Sequence, residues 1–415
     1  MNVLIATPYL PYPDAPHATA EAIFRFIYRF GQRHHLYLAS MYEPSEVAQL
    51  DVIKHHADVV CAVMSRESSI SAHLQRRQAF ESSGLFSTLR AAVSGAERLL
   101  SAAPKADEAE FIEKTLEQIS ILNPDIVQVE TAHLSRLMSK YLERLPAVAV
   151  AHDVDMKPAY RRFEQAPLGL KKLIYYSNYR LLSLAEPRAY KRYRRLYTVS
   201  AFDKAYLLRR DSSLNIGERP SIFMLPEPSE HMARNRQMIL FLGAMHRQEN
   251  IEAVLFFISK VLPLIQASNP NSEFHLVGGG APDHLQRLHD GKTIFIHGFV
   301  KSAMPYFKQA RVMVAPMLVG GGMIMKVFYA LHYGLPTVAS PIANEGIGAE
   351  HGESIFLAES PDDFARHIQT LLSDDDAWRR ISQGASAFIA KRFNQDALIE
   401  QLEADYAEII SSHRQ

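Results

Sequence analysis

The chain has 415 residues, enough for two or three domains with sizeable cores. Hydrophobic residues make up 47% and charged residues 22%, which excludes a mainly disordered chain. Lys plus Arg and Asp plus Glu each number 45, so no overall positive charge favours nucleic acid as a partner. The single cysteine, Cys61, excludes an internal disulfide and a multi-cysteine metal site.

Short apolar segments and longer amphipathic ones alternate in the first half of the chain, and this predicts a doubly wound parallel sheet. The expected strands are 3–7, 35–40, 126–130, 147–152 and 197–199, with helices over 19–33 and 105–121. The first segment lacks the basic start of a signal peptide. No run reaches 18 uninterrupted apolar residues, so no membrane-spanning helix is expected. Residues 65–104 are a polar, helix-prone insertion.

The second half repeats the pattern. We expect strands at 238–242, 274–277, 293–296, 312–315 and 337–339, and helices over 250–266, 281–289, 302–310, 323–333 and most of 361–413. Residues 211–236 hold three prolines and little periodicity, which is typical of an interdomain linker. The predicted organisation is an N-terminal domain over 1–215, a linker over 216–236, a C-terminal domain over 237–394 and a final segment over 395–415.

Glycine is concentrated in the second domain. Fourteen of the 19 glycines follow residue 238, and six of them form the triplets Gly278–Gly280 and Gly320–Gly322. Backbone that approaches a ligand closely requires glycine, so the second domain is the candidate for a phosphate-bearing ligand. The alternative interpretation is that both triplets are tight turns.

The segment 312–340 holds the strongest motif: a strand, a glycine-rich loop, a helix beginning near Met323, and another strand. A helix N-terminus offers unpaired N–H groups and a positive dipole end to an anion. Lys326, in the first turn of this helix, is within reach of a bound diphosphate. The alternative is a solvated lysine without a ligand.

This segment resembles the group 1 glycosyltransferases, family 4 of the sequence classification, in the branch with a triple-glycine loop. The shared features are the glycine loop, the lysine on the helix, Gly334-Leu335-Pro336 and Asn344-Glu345-Gly346-Ile347. The resemblance covers nearly all of 238–393 and includes Phe241-Leu242-Gly243, Gly278–Gly280 and His297-Gly298-Phe299-Val300. In the first half it is looser and is carried by the segments 8–13, 123–130, 151–154 and 197–200.

The resemblance implies the GT-B fold, an α/β architecture of two Rossmann-like, doubly wound parallel-sheet domains with an interdomain cleft. In that fold the segment 395–415 crosses back to the N-terminal domain. The implied activity is a retaining glycosyl transfer from a nucleotide-sugar donor to a glycan, lipid-linked or other acceptor. The resemblance implies neither a metal nor another cofactor, and the sequence shows no metal-ligand spacing.

The same family resemblance implies which residues form the site. His152 and Lys326 are the expected catalytic residues, His152 also because it ends an apolar run and therefore lies at the carboxyl edge of a strand, where ligands bind in such sheets. His17 and Asp153 are expected at the substrate. The expected nucleotide-binding residues are Gly243, Arg247, Gly278, Gly279, Gly320, Gly321, Gly322, Met323, Tyr329 and Glu345.

The sequence departs from the family pattern at two of these positions and at a neighbouring one. Gly321 and Tyr329 stand where many members have glutamates, and Ala244 stands where an arginine is common. Arg247 is the candidate replacement for that charge. Two alternatives therefore stay open: a non-catalytic GT-B subunit, and a sugar-nucleotide epimerase or hydrolase that uses Glu130, Asp153 or Glu345 for acid–base chemistry.

Residues 157–197 are strongly basic, with 11 Lys and Arg against two Glu, and six of the seven tyrosines in this range are interleaved with them before the final Tyr197. Three interpretations fit this composition: an anionic membrane surface, nucleic acid, or a solvated face over buried tyrosines. The resemblance favours the membrane, since relatives act on lipid-linked acceptors. We therefore expect a cytoplasmic enzyme of polysaccharide biosynthesis, peripheral on the inner face of the membrane.

Overall fold

The computed structural model describes residues 1–65 except 14 and 16, and then 104–220, 235–319 and 323–414. The chain divides into two compact units, Met1–Met224 with Gln395–Gln415, and Leu225–Asn394. Each unit is built on one parallel β-sheet. The insertion expected at 65–104 and the triplet Gly320–Gly322 lie outside the described residues.

The first unit has a seven-stranded sheet of order β3-β2-β1-β4-β5-β6-β7. Its strands are β1 (Asn2–Thr7), β2 (His35–Tyr42), β3 (Asp58–Met64), β4 (Ile126–Glu130), β5 (Ala147–Ala151), β6 (Arg195–Thr198) and β7 (Ile216–Glu218). Its helices before the second unit are α1 (Ala18–Phe30), α2 (Gln49–Ile53), α3 (Ala106–Leu122), α4 (Ala132–Leu142), α5 (Met156–Gln165), α6 (Leu170–Tyr190) and α7 (Ala201–Arg210).

The central strands of this sheet are buried on both faces. Every residue of β4 and β5 is buried, and so are five of the six residues of β1. This is the pattern of a parallel sheet covered by helices on both sides. The strand order reverses between β1 and β4, and ligands bind such sheets at the carboxyl edge near that reversal.

The second unit has a six-stranded sheet of order β10-β9-β8-β11-β12-β13. Its strands are β8 (Asn235–Leu242), β9 (Glu273–Val277), β10 (Ile294–Gly298), β11 (Ala310–Ala315), β12 (Thr337–Ala339) and β13 (Phe356–Leu357). Its helices are α8 (Gln248–Phe256), α9 (Leu262–Ser268), α10 (Asp283–Gln286), α11 (Met304–Gln309), α12 (Met325–His332), α13 (Pro341–Asn344), α14 (Pro361–Ser373) and α15 (Asp375–Arg392).

The last helix, α16 (Gln395–Arg414), follows the second unit in sequence but packs in the first. Its apolar side chains join the core that lines one face of the first sheet: Ile399, Leu402, Tyr406 and Ile409. Ion pairs at its margin include Arg29 with Asp396 at 2.9 Å and Arg195 with Asp405 at 2.8 Å.

The structure differs from the sequence-based expectation in the linker. Residues Ile216–Glu218 form β7, which pairs with β6, so the predicted linker over 216–236 begins too early. The strand expected at 197–199 is therefore not the last of the N-terminal sheet. Strands β3 and β13 were not predicted either, and the helix expected from 323 begins at Met325.

Within the described residues, one continuous helical stretch, Gln248–Ser268, is long and apolar enough to cross a membrane by length and composition. It comprises α8, a π-helical turn over Phe257–Val261, and α9. It also connects the paired strands β8 and β9 and buries Val254, Phe257 and Ile265 completely. A crossover helix packed on a sheet passes the same test, so the stretch is weak evidence for a membrane span.

Candidate active site

His152 and Glu130 meet at the carboxyl edge of the first sheet. His152 follows β5 directly, and Glu130 is the last residue of the neighbouring strand β4. Nε2 of His152 lies 2.6 Å from Oε2 of Glu130, which is a short hydrogen bond. The predicted position of His152 at a strand's carboxyl edge is what the structure shows.

Glu130 is completely buried, and its charge is compensated. Burial alone raises the pKa of this carboxyl, but the charge of Arg219 and the hydrogen bond from His152 outweigh burial and leave the pKa below its usual value. Nη2 of Arg219 lies 2.9 and 3.2 Å from the two carboxylate oxygens. The side-chain amide of Gln128 also donates to Oε1.

Arg219 is a site residue that sequence analysis missed. It directly follows β7, inside the segment predicted as linker, and its backbone N–H donates to the carbonyl of Thr198 at 2.8 Å. Only 7% of the residue is exposed, and its Cζ lies 4.5 Å from the centroid of the Phe26 ring. No local pattern distinguishes this arginine, because its carboxylate partner is 89 residues away.

The two predicted substrate residues of the first unit lie at the same sheet edge. His17 precedes α1, and its ring stacks on Tyr9 with 4.8 Å between centroids. Asp153 is exposed and follows His152. The pKa of Tyr9 is raised by burial and then by the negative charges of Asp153 and Asp155.

In the second unit, the loops after β8 and β9 are packed backbone to backbone. Gly278 has φ +148°, and a Cβ there would lie 1.8 Å from the carbonyl oxygen of Gly243. A Cβ at Gly279 would lie 3.1 Å from Cβ of Phe299. Glycine at 278 is therefore required by the fold itself, in addition to any approach of a ligand.

Lys326, the second residue of α12, reaches the first of these loops. Its Nζ donates to Oδ1 of Asn250 at 2.7 Å and lies 4.1 Å from the centroid of the Phe241 ring. A Cβ at Gly243 would lie 2.9 Å from this Nζ. Burial, and then the positive charge of Arg247, lower the pKa of Lys326 to about 7. An ammonium in this state is stabilised by any anion that binds beside it.

The other predicted nucleotide residues are less closely grouped. Arg247 precedes α8 with its side chain 65% exposed, and Met323 lies two residues before α12. Tyr329 packs beside Phe307, with 6.4 Å between ring centroids. Glu345 follows α13 and is partly buried. The structure thus brings Lys326, Gly243 and the charge of Arg247 together, and it places Tyr329 against an apolar cluster.

A cleft of about 400 Å³ opens beside the glycine triplet Gly278–Gly280. It is lined by Gly280, Ala281, Gln286, His289, Ile296, His297 and Gly298. Nε2 of His297 lies 3.0 Å from Nδ1 of His275, and Nδ1 of His289 accepts the backbone N–H of Ile296 at 3.0 Å. Sequence analysis named His297 only as part of a family motif and did not predict a site of several histidines, because nothing local to each shows that they converge.

The described residues contain no group of three or more His, Cys, Asp or Glu side chains placed to hold a metal ion. Acid–base carboxylates, which an epimerase or hydrolase would use, are represented at the first sheet edge by Glu130 and Asp153. Glu130 is fully occupied by donors, and Asp153 is exposed.

Part of the second unit matches a known protein family. Residues 236–374 match the family model described as glycosyl transferases group 1. A curated relative, an uncharacterized 44.6 kDa protein in the cps region of Klebsiella pneumoniae, is 24% identical over 175 residues. That match spans 40% of this chain and 44% of the relative, less than half of its length.

Solved structures match over both units. Sucrose-phosphate synthase from Thermosynechococcus elongatus has a TM-score of 0.65 at 13% identity, covering 99% of this chain and 100% of that one. HepE from Anabaena, solved in complex with UDP, has a TM-score of 0.63 at 12% identity, covering 98% and 100%. The predicted fold class, two Rossmann-like domains with parallel sheets as in GT-B glycosyltransferases, is confirmed.

Proposed function

We propose that this chain is a retaining glycosyltransferase, because residues 236–374 match the model of the group 1 glycosyltransferases. It transfers a sugar from a nucleotide-sugar donor to a glycan or lipid-linked acceptor without a metal ion. The relative in a cps region supports a role in polysaccharide biosynthesis. UDP-sugars are the first donors to test, because HepE was solved with UDP and with UDP-glucose.

The observation that carries this proposal is the position of the Lys326 ammonium. It lies beside the backbone of Gly243, where no side chain intervenes, and its one hydrogen-bonded oxygen comes from the neutral amide of Asn250. A diphosphate at this point meets a partly desolvated cation. Binding would raise the pKa of Lys326 again and complete its protonation, because an anion stabilises the charged form.

Charge stabilisation of the leaving group then accounts for the chemistry. As the bond between sugar and diphosphate breaks, negative charge accumulates on the phosphate oxygens. Lys326 and Arg247 offset that charge, which is the role that a divalent metal has in other transferases. The resemblance implies that the leaving phosphate accepts the proton of the acceptor hydroxyl on the same face of the sugar, so retention requires no protein nucleophile.

We assign the residues at the edge of the first sheet to the sugar and the acceptor. His152, His17 and Asp153 lie there, and Glu130 holds His152. Their neutral and anionic groups suit hydroxyl groups as ligands, whereas the cations of the second unit suit phosphate.

For a lipid-linked acceptor we propose that the α5–α6 hairpin rests on an anionic membrane surface. Leu173, Tyr176 and Leu184 are 60%, 42% and 46% exposed and share one face of α6. Leu168, in the loop between the two helices, is 94% exposed. Exposed apolar side chains beside basic ones are typical of helices that lie in a membrane interface.

A thermal-shift screen of UDP-, GDP-, ADP- and CMP-sugars tests the donor, since ligand that binds the native state raises the unfolding temperature. NMR of the stabilising donor with acceptor present should then show transfer with retained anomeric configuration, unaffected by EDTA. Turnover of the donor without any acceptor would instead indicate a hydrolase or epimerase. Failure to bind any sugar nucleotide would indicate a non-catalytic subunit.

A further inference from the structure

Two polar side chains occupy consecutive inward-facing positions of the central strand β4. Gln128 and Glu130 are both completely buried, and they share with Ile126 the face of the sheet that α1 and α16 cover. Such positions in a parallel sheet are normally aliphatic. Burying an amide and a carboxylate there is unfavourable unless all their hydrogen bonds are made.

The hydrogen bonds form a connected network that ends at His152. The Tyr406 hydroxyl, from α16, donates to Oε1 of Gln128, and the Gln128 amide donates to Oε1 of Glu130. Arg219 donates to both carboxylate oxygens of Glu130, and Nε2 of His152 is hydrogen-bonded to Oε2. Arg219 can only donate, and Gln128 presents its amide N–H₂ to Glu130 because its own carbonyl oxygen accepts from Tyr406. In this network the residue at 130 therefore accepts on both of its oxygens.

This arrangement determines which ring nitrogen of His152 carries the proton. Because Nε2 faces a carboxylate, Nε2 must be protonated. Nδ1 makes no hydrogen bond to any part of the chain that the structure describes. In the neutral ring Nδ1 is then a hydrogen-bond acceptor, whereas the other tautomer would present a donor there.

We propose that Glu130 is a positioning residue that holds His152 in its Nε2–H tautomer, so that Nδ1 accepts a hydrogen bond from a hydroxyl group of the sugar. The identity of that ligand rests on the proposed glycosyl transfer, whereas the tautomer does not. Arg219 and Tyr406 complete the network from the end of β7 and from α16. The returning helix therefore contributes to the geometry of a residue at the sheet edge.

The substitution Glu130→Gln tests the assignment because it replaces one oxygen by a donor. Gln128 donates to Oε1, and Arg219 donates to both oxygens, so the single remaining oxygen should stay with them. The new amide N–H₂ would then face His152 and require an unprotonated Nε2. We expect the neutral tautomer to change from Nε2–H in the wild type to Nδ1–H in the variant. The readout is ¹⁵N–¹H NMR of histidine-labelled protein, with the His152 signal assigned from its loss in His152→Gln.

Transfer should fall with the tautomer. We expect kcat of Glu130→Gln to drop by about 100-fold or more, as when a catalytic histidine is held in the wrong tautomer. The KM for the donor should stay within about 3-fold, because the nucleotide is held by the other unit. Glu403→Gln is the matched control. Glu403 also contacts a histidine and an arginine, His34 at 2.8 Å and Arg33 at 3.3 Å, and should leave the His152 tautomer and kcat unchanged.

A wild-type protein with Nδ1–H at His152 would overturn the proposal, and this result needs no substitution at Glu130. An unchanged tautomer in a folded Glu130→Gln protein would overturn it as well. Protein with the expected tautomers but without transfer on any donor would contradict the proposed glycosyl transfer and leave the positioning role of Glu130 supported.

Discussion

Lys326 is a cation with little compensation from its surroundings. Its pKa is lowered to about 7, first by burial, and its ammonium donates to one amide oxygen of Asn250. Such a group contributes little to folding and is available to a ligand. The Lys326→Ala substitution should therefore lower kcat by about 100-fold, the effect of losing one charge contact in the transition state.

The unfolding temperature of Lys326→Ala should stay within a few degrees of the wild type, since no buried ion pair is broken. Lys260→Ala, an exposed lysine of the same unit, is the control for loss of a charge alone. Steady-state kinetics and thermal unfolding are measured together. Unchanged turnover in Lys326→Ala would refute the assignment of this lysine to the diphosphate.

Glu186, on α6, is a buried carboxyl whose pKa is raised to about 7, by burial and then by the charge of Asp155. Its carboxyl oxygens accept the backbone N–H groups of Asp155 and Met156, each at 3.1 Å. Since the folded protein holds this proton more tightly than the unfolded chain, the stabilisation is complete below the unfolded pKa. It is lost as the pH rises through about 7.

We therefore expect the free energy of unfolding of the wild type to fall by about 2 kcal/mol from pH 5 to pH 8, relative to Glu186→Gln. Chemical denaturation at several pH values provides the comparison. Glu164→Gln, at an exposed position of α5, should retain the wild-type pH dependence. Parallel curves for wild type and Glu186→Gln would show that Glu186 does not titrate in this range.

At the scale of elements, the α5–α6 hairpin buries two of its tyrosines and pairs several of its basic side chains with acidic ones. Two of its tyrosines, Tyr179 and Tyr190, and Tyr193 of the following turn are buried, although basic residues surround them in the sequence. Several basic residues have acidic partners, as in the Lys157–Asp203 and Lys191–Asp211 pairs. A solvated face over buried tyrosines thus explains part of the sequence pattern. It does not explain why leucines are exposed on the same hairpin.

Vesicle binding tests those leucines. The double substitution Leu173→Ser and Leu184→Ser should reduce co-sedimentation with anionic vesicles by 10-fold or more, as each buried leucine contributes about 2 kcal/mol. Binding by the wild type should weaken as salt rises and should need anionic lipid. Ile121→Ser, at a residue 66% exposed on α3, is the matched control. Equal binding of the wild type to neutral and to anionic vesicles, or binding to neither, would exclude this docking surface.

Some strands can be predicted from a local sequence pattern, whereas others form because of contacts with residues distant in the sequence. The strands β1 and β5 were predictable because buried parallel strands are largely continuous apolar runs, and β4 because three of its five residues are Ile or Val. β7 has three residues and is held by its pairing with β6, so no run of its own indicates it. β3 alternates buried and exposed residues at the sheet edge and gives a weaker signal.

The same distinction applies to the site. His152 could be found because it ends an apolar strand, and Lys326 because it follows a glycine loop in a family motif. Arg219 and Tyr406 could not, because each meets Gln128 or Glu130 only through the fold. Glu130 could be recognised in the sequence as a carboxylate at a strand end. Its role as an acceptor for several donors could not, because those donors meet it only in the folded chain.

On the scale of the whole molecule, the C-terminal segment of the chain belongs to the first structural unit although it follows the second in sequence. Helix α16 follows the second unit but belongs to the first, where Ile399, Leu402, Tyr406 and Ile409 are each at most 5% exposed. Deleting residues 395–415 removes four core side chains and leaves Phe30 and Tyr197 uncovered. The loss is on the order of 8 kcal/mol, comparable with the whole stability of a domain.

The only tryptophan provides a way to test which unit loses that stability. Trp378 lies on α15 of the second unit, where its Nε1 donates to the carbonyl of Arg311 at 2.7 Å. Its fluorescence therefore reports unfolding of the second unit, whereas far-UV circular dichroism reports both. In the protein truncated after Asn394 we expect the fluorescence transition to stay within a few degrees of the wild type.

The dichroism of the truncated protein should instead show early loss of structure in the first unit. Tyr406→Ala, which removes one buried ring, should produce the same separation with a smaller shift, since such a change costs about 3–5 kcal/mol. Glu400→Ala, exposed on the same helix, should shift neither signal. If truncation lowered both transitions equally, the two units would unfold as one cooperative body, and the stability of the second would depend on α16 although this helix belongs to the first.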